Sequence, residues 1–140
     1  MSVVLDANLL VAFAIEVDRG RLVGAKLHEW AERGETLHAP ALMPYEAANA
    51  LVRSVAGGTL PPEAVPQAWA LIATVAVELH PIGAGPAVVE VARRLERHSA
   101  YDAAYVVLAQ ALSAELWTFD GPLARNARSI NLPVRLLTAD

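Results

Sequence analysis

Two aspartates each follow a short apolar run and could act together at one edge of a sheet. Asp6 comes directly after residues 2–5, and Asp120 comes directly after residues 116–119. Short apolar runs of this kind predict buried strands. Because the carboxyl ends of parallel strands meet at the same sheet edge, we expect Asp6 and Asp120 to lie close together there.

Two further acids lie in the first turns of predicted helices. Glu46 follows Pro44 near the start of an apolar helical pattern over residues 43–56, and Asp102 opens the pattern over residues 101–114. The free backbone N–H groups and the dipole of a helix N-terminus favour a carboxylate at such positions. Both side chains could therefore face the same cleft as the two aspartates.

Each of the four acids also has a purely structural explanation. Asp6 and Asp120 could be helix N-caps, and Glu46 and Asp102 could be solvated acids that complement helix dipoles. Taken together, however, four like charges in a partly dry cleft cost several kcal/mol unless cations offset them. The set therefore favours a site for divalent metal ions, and all-oxygen ligands favour Mg²⁺ or Mn²⁺ over zinc.

The elements that would position these acids alternate between strand and helix. Strands are predicted at residues 2–5, 75–80, 116–119 and 134–137, and helices at residues 22–33, 43–56, 87–98 and 101–114, with a further helix opened by Pro61 and Pro62. This alternation predicts an α/β fold, with a mainly parallel central sheet flanked by helices in an α/β/α arrangement. The segment from Gly57 to Pro62 is too short to separate domains and predicts a helical-hairpin turn.

Length and composition predict a single domain over residues 1–140. No apolar run reaches the roughly 18 to 20 residues that span a bilayer. The chain contains no cysteine, and its N-terminus lacks the features of a signal peptide, so a cytoplasmic protein is expected. The 55% share of hydrophobic residues indicates some apolar surface buried against another chain.

The net charge of −4 argues at first against nucleic-acid binding, which needs basic side chains. Setting aside four of the fifteen acids as metal ligands leaves eleven acids against eleven bases. The acidity is therefore expected to be local to the site rather than spread over the surface.

Four stretches resemble, in order, the motifs of the PIN-domain family and cover nearly the whole chain. They are VVLDANLL (3–10), APALMPYEAANAL (39–51), SAYDAAYVVLAQAL (99–112) and LWTFDGPLA (116–124). More narrowly, the chain resembles the toxin of a VapBC-type bacterial toxin–antitoxin pair. The family's acidic quartet falls on Asp6, Glu46, Asp102 and Asp120.

The resemblance implies an endoribonuclease that uses Mg²⁺ or Mn²⁺ to hydrolyse RNA, with in-line displacement and products carrying 5′-phosphate and 3′-hydroxyl ends. Asp6 and Asp102 would be the principal ligands, and Glu46 and Asp120 would bind directly or through water. Asn8, where many members have Ser or Thr, and Thr118 match polar positions beside the acids and would orient them. The toxin resemblance further implies a homodimer and a small antitoxin, expected near the predicted hairpin.

Other basic and histidine residues are assigned more general roles. Arg125 and Arg128 follow Asp120 closely enough to contact phosphates. A basic strip along one helix could contact phosphates or be a solvated helix face, of which the solvated face is slightly favoured; it consists of Arg93, Arg94 and Arg97. The four histidines are His28, His38, His80 and His98. They show no paired spacing, so no zinc site is expected.

Two alternative functions remain open at this point. Asp6 with Asn8 is similar to the nucleophile motif of haloacid-dehalogenase-like phosphatases, but those enzymes expect aspartate at the second position and a later lysine. The only lysine of this chain is Lys26. Within the PIN-domain family, a housekeeping RNA-processing nuclease is the alternative to a toxin.

Overall fold

Five short strands form one parallel sheet in the computed structural model, which describes residues 1–139. The strands are β1 (Ser2–Leu5), β2 (Thr36–Pro40), β3 (Val77–His80), β4 (Glu115–Thr118) and β5 (Val134–Leu136). Their order across the sheet is β3-β2-β1-β4-β5, and every neighbouring pair is parallel. The predicted α/β fold with a parallel central sheet is confirmed.

Seven α-helices of the described residues flank this sheet. They are α1 (Ala7–Ile15), α2 (Asp18–Glu32), α3 (Met43–Ala56), α4 (Val65–Ala73), α5 (Gly85–Arg94), α6 (Tyr101–Ala111) and α7 (Gly121–Ser129), with a 3₁₀ turn at Pro62–Ala64 before α4. Helix α1 packs against α2, α3 and α4, whereas α6 packs against α5 and against strands β1, β2 and β4. Within residues 1–139, no helix is both long and apolar enough to cross a bilayer.

The central pair of strands fixes where the site lies. Leu5 at the end of β1 is in register with Trp117 of β4, so the two strands end side by side. Val4 and Leu5 are fully buried, because helices cover both strands. The residues that follow β1 and β4 are therefore held at one sheet edge by the core itself.

Several predicted elements have different bounds in the structure. Helix α2 begins four residues earlier than predicted, where Asp18 complements the helix dipole. Helix α5 ends at Arg94 rather than at residue 98, because Glu96 adopts a positive φ of 56° and turns the chain. Helix α6 ends at Ala111 for a similar reason, since Ser113 has φ 52°.

Strand β2 was not predicted, although it lies inside the sheet between β1 and β3. Its five residues include the polar His38 and end on Pro40, a residue that is depleted in strands. The pairing of β2 with β1 ends at His38, two residues before this proline. Its neighbour β3 begins at Val77, two residues later than predicted.

Candidate functional site

Asp6 is the centre of the candidate site. It lies between β1 and α1, and its carboxylate caps the helix by accepting a hydrogen bond from the Asn8 backbone N–H at 3.5 Å. The buried Thr118 hydroxyl donates to Asp6 Oδ2 at 2.9 Å. Desolvation raises the pKa of Asp6 to about 7; the Thr118 hydrogen bond opposes this shift, and the nearby Glu46 and Asp102 carboxylates add to it.

A hydrogen-bond network ties Asp6 to the end of β4. Asn8 Nδ2 donates to Thr118 Oγ1 at 3.2 Å, and Asn8 Oδ1 accepts from the Phe119 backbone N–H at 3.3 Å. The Asp120 backbone N–H also donates to Thr118 Oγ1, at 3.0 Å. The structure therefore brings the two predicted polar residues, Asn8 and Thr118, into contact with each other beside the acids.

Glu46 lies in the first turn of α3 and is held by a residue that sequence reasoning did not single out. The Tyr105 hydroxyl donates to Glu46 Oε1 at 2.6 Å, and the Tyr105 side chain is buried. Desolvation raises the pKa of Glu46, the Tyr105 hydrogen bond opposes that rise, and the Asp102 charge adds to it. Tyr105 lies three residues after Asp102 on α6, so the two share one helix face, and this spacing was the available signal.

Asp102 and Asp120 are bridged by Arg97. Its Nη1 atom lies 3.5 Å from Asp102 Oδ2, and its Nη2 atom lies 3.8 Å from Asp120 Oδ2. Desolvation raises the pKa of Asp102, against the opposing charge of Arg97 and together with the charge of Asp120. Arg97 Nη2 is buried and has no hydrogen-bond partner within residues 1–139, so these contacts are charge pairings without good hydrogen-bond geometry.

The expectation that Arg97 belongs to a solvated strip is wrong. Arg93 and Arg94 do lie on the exposed side of α5, where Arg93 pairs with Glu90. Arg97, however, follows Glu96, whose backbone is in the left-handed region. This residue breaks the course of the helix, so the Arg97 side chain is turned towards the acids.

The four acids share one edge, but their carboxylates remain spread. In the described part of the chain, no three of them have oxygen atoms all within 4.8 Å of one another. Spacing of this kind is expected of like charges, and Arg97 offsets part of the repulsion between Asp102 and Asp120. Because desolvation and mutual repulsion raise the pKa of Asp6 and of Asp102, the residues fit a site that binds divalent cations.

Arginines at the edge of the site could contact a polyanion. A cavity of about 190 Å³ beside Asp6 is also lined by Glu46, Arg19 and Arg53. Arg19 lies 4.0 Å above the Phe119 ring, which orients its guanidinium. Sequence reasoning missed both arginines, because Arg19 precedes the predicted helix and Arg53 lies two turns beyond Glu46.

The predicted phosphate contact Arg125 lies next to the acids as well. It is exposed on α7, and its Nη1 atom is 3.0 Å from the position that a Cβ at Gly121 would occupy. Glycine at position 121 therefore lets the guanidinium fold back towards the N-terminus of α7, which Asp120 caps by accepting from the Leu123 N–H at 3.0 Å.

Replacing Tyr105 by phenylalanine tests how Glu46 is held. We expect any metal-dependent activity of this site to fall about 10-fold, because loss of an outer hydrogen bond misorients the carboxylate. The bond lowers the pKa of Glu46, so its loss should move the acid limb of the pH–rate profile to higher pH. Steady-state rates between pH 5 and 9 measure both effects.

Tyr45→Phe is the matched control, since Tyr45 is exposed on the same helix as Glu46. An unshifted acid limb in Tyr105→Phe, with its fold intact by circular dichroism, would contradict the role given to this hydrogen bond.

The comparisons with known proteins agree with the observed fold. The sequence matches the PIN domain family over residues 3–129, a span that includes all four acids. No curated protein matches the chain. The crystal structure of PAE2754 from Pyrobaculum aerophilum is similar, with a TM-score of 0.67 and 24% sequence identity over 90% of this chain and 79% of that one, which supports the fold alone. The chain thus belongs to the PIN domain family, whose members are generally metal-dependent nucleases.

Proposed function

We propose that this protein is an endoribonuclease that depends on Mg²⁺ or Mn²⁺. The observation that carries the proposal is the partly buried Asp6 carboxylate, whose pKa is raised to about 7 where β1 and β4 end, with three further acids at the same edge. A carboxylate in such surroundings is stabilised by a bound cation. Membership of the PIN domain family makes nuclease chemistry the expected use of that cation and replaces the phosphatase alternative.

Asp6 and Asp102 are proposed as the principal ligands, with Glu46 and Asp120 completing the site directly or through water. The wide spacing of the carboxylates supports water-mediated contacts for some of them. A divalent ion bound there would lower the pKa of water and offset negative charge on the phosphate during displacement.

The other side chains of the site have defined tasks in this proposal. Thr118 and Asn8 hold the Asp6 carboxylate in one orientation, as Tyr105 holds Glu46. Arg97 offsets part of the repulsion between Asp102 and Asp120. The exposed arginines at the rim would bind RNA phosphates outside the acidic centre.

The chemistry of the products tests this proposal. With Mg²⁺ or Mn²⁺ we expect RNA fragments with 5′-phosphate and 3′-hydroxyl ends, because in the proposed hydrolysis water would attack the phosphorus and the 3′-oxygen would leave. Excess EDTA should stop the reaction. Fragments that end in 2′,3′-cyclic phosphate and form equally in EDTA would show that a 2′-hydroxyl attack without metal is responsible, and the proposal would fail.

Salt dependence tests the arginines at the rim. We expect Arg53→Ala and Arg125→Ala each to reduce the slope of log affinity against log salt by about one, as loss of a single phosphate contact does. Arg33→Ala is the matched control, because Arg33 follows α2 at the amino edge of the sheet, opposite the acids. RNA binding measured by fluorescence anisotropy at several salt concentrations gives the slopes. A slope unchanged from wild type would remove that arginine from the interface.

We propose further that the nuclease is the toxin of a VapBC-type pair, that it forms a homodimer, and that a VapB-like antitoxin inhibits it. Exposed apolar side chains on the hairpin of α3 and α4, namely Val52, Trp69 and Leu71, support a protein partner at this surface. An antitoxin segment laid along the hairpin would lie beside Glu46 of α3.

Expression of the chain alone in a bacterial host tests the toxin role. Growth arrest by wild type but not by Asp6→Asn is expected of a toxin. Normal growth in the presence of folded, active enzyme would instead favour a housekeeping RNA-processing nuclease. Sedimentation equilibrium separately tests the homodimer.

A further inference from the structure

Three potential metal ligands lie together on the two strands at the β3 side of the sheet. His38 of β2 is in register with Glu78 of β3, and His80 follows Glu78 by two residues. Side chains at paired positions, and at alternate positions of one strand, project from the same face of a sheet. One ligand atom from each residue lies within 4.8 Å of the other two.

Hydrogen bonds define which nitrogen of His38 is free to bind. The Thr36 hydroxyl lies 3.2 Å from the Met1 carbonyl, to which it can only donate. With its hydrogen used there, the Thr36 oxygen accepts from His38 Nε2 at 2.8 Å. His38 Nδ1 of the neutral ring then carries a lone pair.

The ligand atoms of the other two residues lie close to His38 Nδ1. His38 Nδ1 is 2.9 Å from His80 Nε2 and 3.4 Å from Glu78 Oε2. A nitrogen lone pair and a carboxylate oxygen repel each other unless a positive centre lies between them. In the neutral pair the proton on His80 Nε2 partly fills this role, and a metal ion would fill it with a larger charge.

The distances are close to those of a metal site. Two ligands bound tetrahedrally at zinc–nitrogen lengths of about 2.0–2.1 Å are roughly 3.3 Å apart. The two ring nitrogens need to separate only slightly from 2.9 Å, with transfer of the His80 ring proton to its other nitrogen or to solvent. The Thr36 contact supplies the outer hydrogen bond that metal-binding histidines usually make through their second nitrogen.

We propose that His38, Glu78 and His80 form a second metal site, for a zinc-class divalent ion, which fastens edge strand β3 to β2. Two imidazoles and one carboxylate are a ligand set that suits zinc rather than Mg²⁺. The site contains none of the four acids and does not depend on the proposed ribonuclease activity. Glu78 is 68% exposed, so an ion can enter from solvent and water can complete its coordination.

This proposal revises the expectation that the histidines form no site. His38 and His80 are 42 residues apart in sequence, and only the pairing of β2 with β3 brings them together. Linear spacing motifs for zinc do not detect ligands contributed by two neighbouring strands.

Metal binding to the full-length, untagged chain tests the proposal. After treatment with EDTA and removal of the chelator, Zn²⁺ affinity is measured by competition with a chromophoric chelator, and Co²⁺ absorption reports tetrahedral coordination. We expect one tight Zn²⁺ site, weakened on the order of 100-fold or more by His80→Ala and clearly by Glu78→Gln, because both remove a direct ligand. Zn²⁺ should also raise the Tm of wild type more than that of His80→Ala.

Two controls separate this site from other histidines and from the acidic edge. His28→Ala removes an exposed histidine that pairs with Glu32 at 3.1 Å on α2, and Asp6→Asn alters the acidic edge. Both should bind Zn²⁺ as wild type does. The proposal would be overturned if the folded His80→Ala and Glu78→Gln variants bound Zn²⁺ as tightly as wild type. It would also be overturned if wild type showed no tight binding, or if Asp6→Asn lost Zn²⁺ binding.

Discussion

Replacing Asp6 by asparagine is expected to lower metal-dependent RNA cleavage by about 10³-fold or more, equivalent to about 4 kcal/mol of transition-state stabilisation. Asparagine has nearly the same shape and can still accept the hydrogen bond from Thr118, so the fold should persist. It carries no charge, however, and cannot hold a divalent ion as a carboxylate does. Initial rates at saturating Mg²⁺ measure the loss.

Asp18→Asn is the matched control for this substitution. Asp18 is an exposed aspartate in the first turn of α2, so the same chemical change there leaves the site intact. Its cleavage rate should equal that of wild type. An Asp6→Asn protein that cleaves within 10-fold of wild type would remove Asp6 from the metal site.

The metal-free protein is expected to lose stability as the pH rises from about 4 to about 7. The pKa of Asp6 is raised from 3.8 to about 7 in the folded state, chiefly by desolvation, so between these values the folded state binds a proton that the unfolded state does not. The free energy of unfolding must therefore fall with pH across this window. The full shift corresponds to roughly 4 kcal/mol, and partial contact of Asp6 with water reduces the expected loss to about 3 kcal/mol.

Urea unfolding in EDTA at pH 4.5, 6 and 7.5 measures this effect, and Asp6→Asn isolates it. The variant lacks the titrating group, so its stability should fall less across the window and should exceed that of wild type at pH 7.5. Saturating Mn²⁺ in place of EDTA should restore wild-type stability at pH 7.5 but have little effect on Asp6→Asn. A wild-type profile that rises with pH, or that matches the variant, would contradict the environment assigned to Asp6.

The sequence predicts the frame of the site because local signals and tertiary structure agree there. Residues 3–5 are apolar, two of them β-branched valines, and Pro44 and the pair Gly57 and Gly58 mark the ends of α3. Strand β1 and helix α3 consequently have the predicted bounds. The resemblance to the PIN-domain motifs then identified the acids that this frame brings to one edge.

The helix N-capping roles that were considered as an alternative to metal binding are also present in the structure. Asp6 and Asp120 each accept a hydrogen bond from the first turn of the helix that follows. A cap occupies only part of the lone pairs of a carboxylate, so it fixes the side chain and leaves oxygen available for a metal ion. The two explanations of these residues are therefore compatible.

Interactions that depend on turns and on strand pairing were not predictable from local pattern. Arg97 reaches the acids because Glu96 adopts a positive φ. The helical pattern of the sequence continues past residue 94, where α5 ends, so the pattern did not predict this turn. His38 and His80 meet because β2 lies between β1 and β3, and β2 was not recognised as a strand. In both cases a backbone feature without a strong sequence signal determines which side chains meet.

The most direct test of the account is a single RNA cleavage assay on wild type and Asp102→Asn with an end-labelled panel of structured RNAs. Asp102 has a pKa raised chiefly by desolvation and lies beside Arg97, so asparagine there removes a proposed ligand without enlarging the side chain. We predict that wild type cuts RNA with Mg²⁺ or Mn²⁺, stops in EDTA and resumes when metal is added back, while folded Asp102→Asn remains inactive throughout. Cleavage by wild type that continues in EDTA, or equal cleavage by Asp102→Asn, would contradict the assignment of this acidic edge as a metal-dependent ribonuclease site.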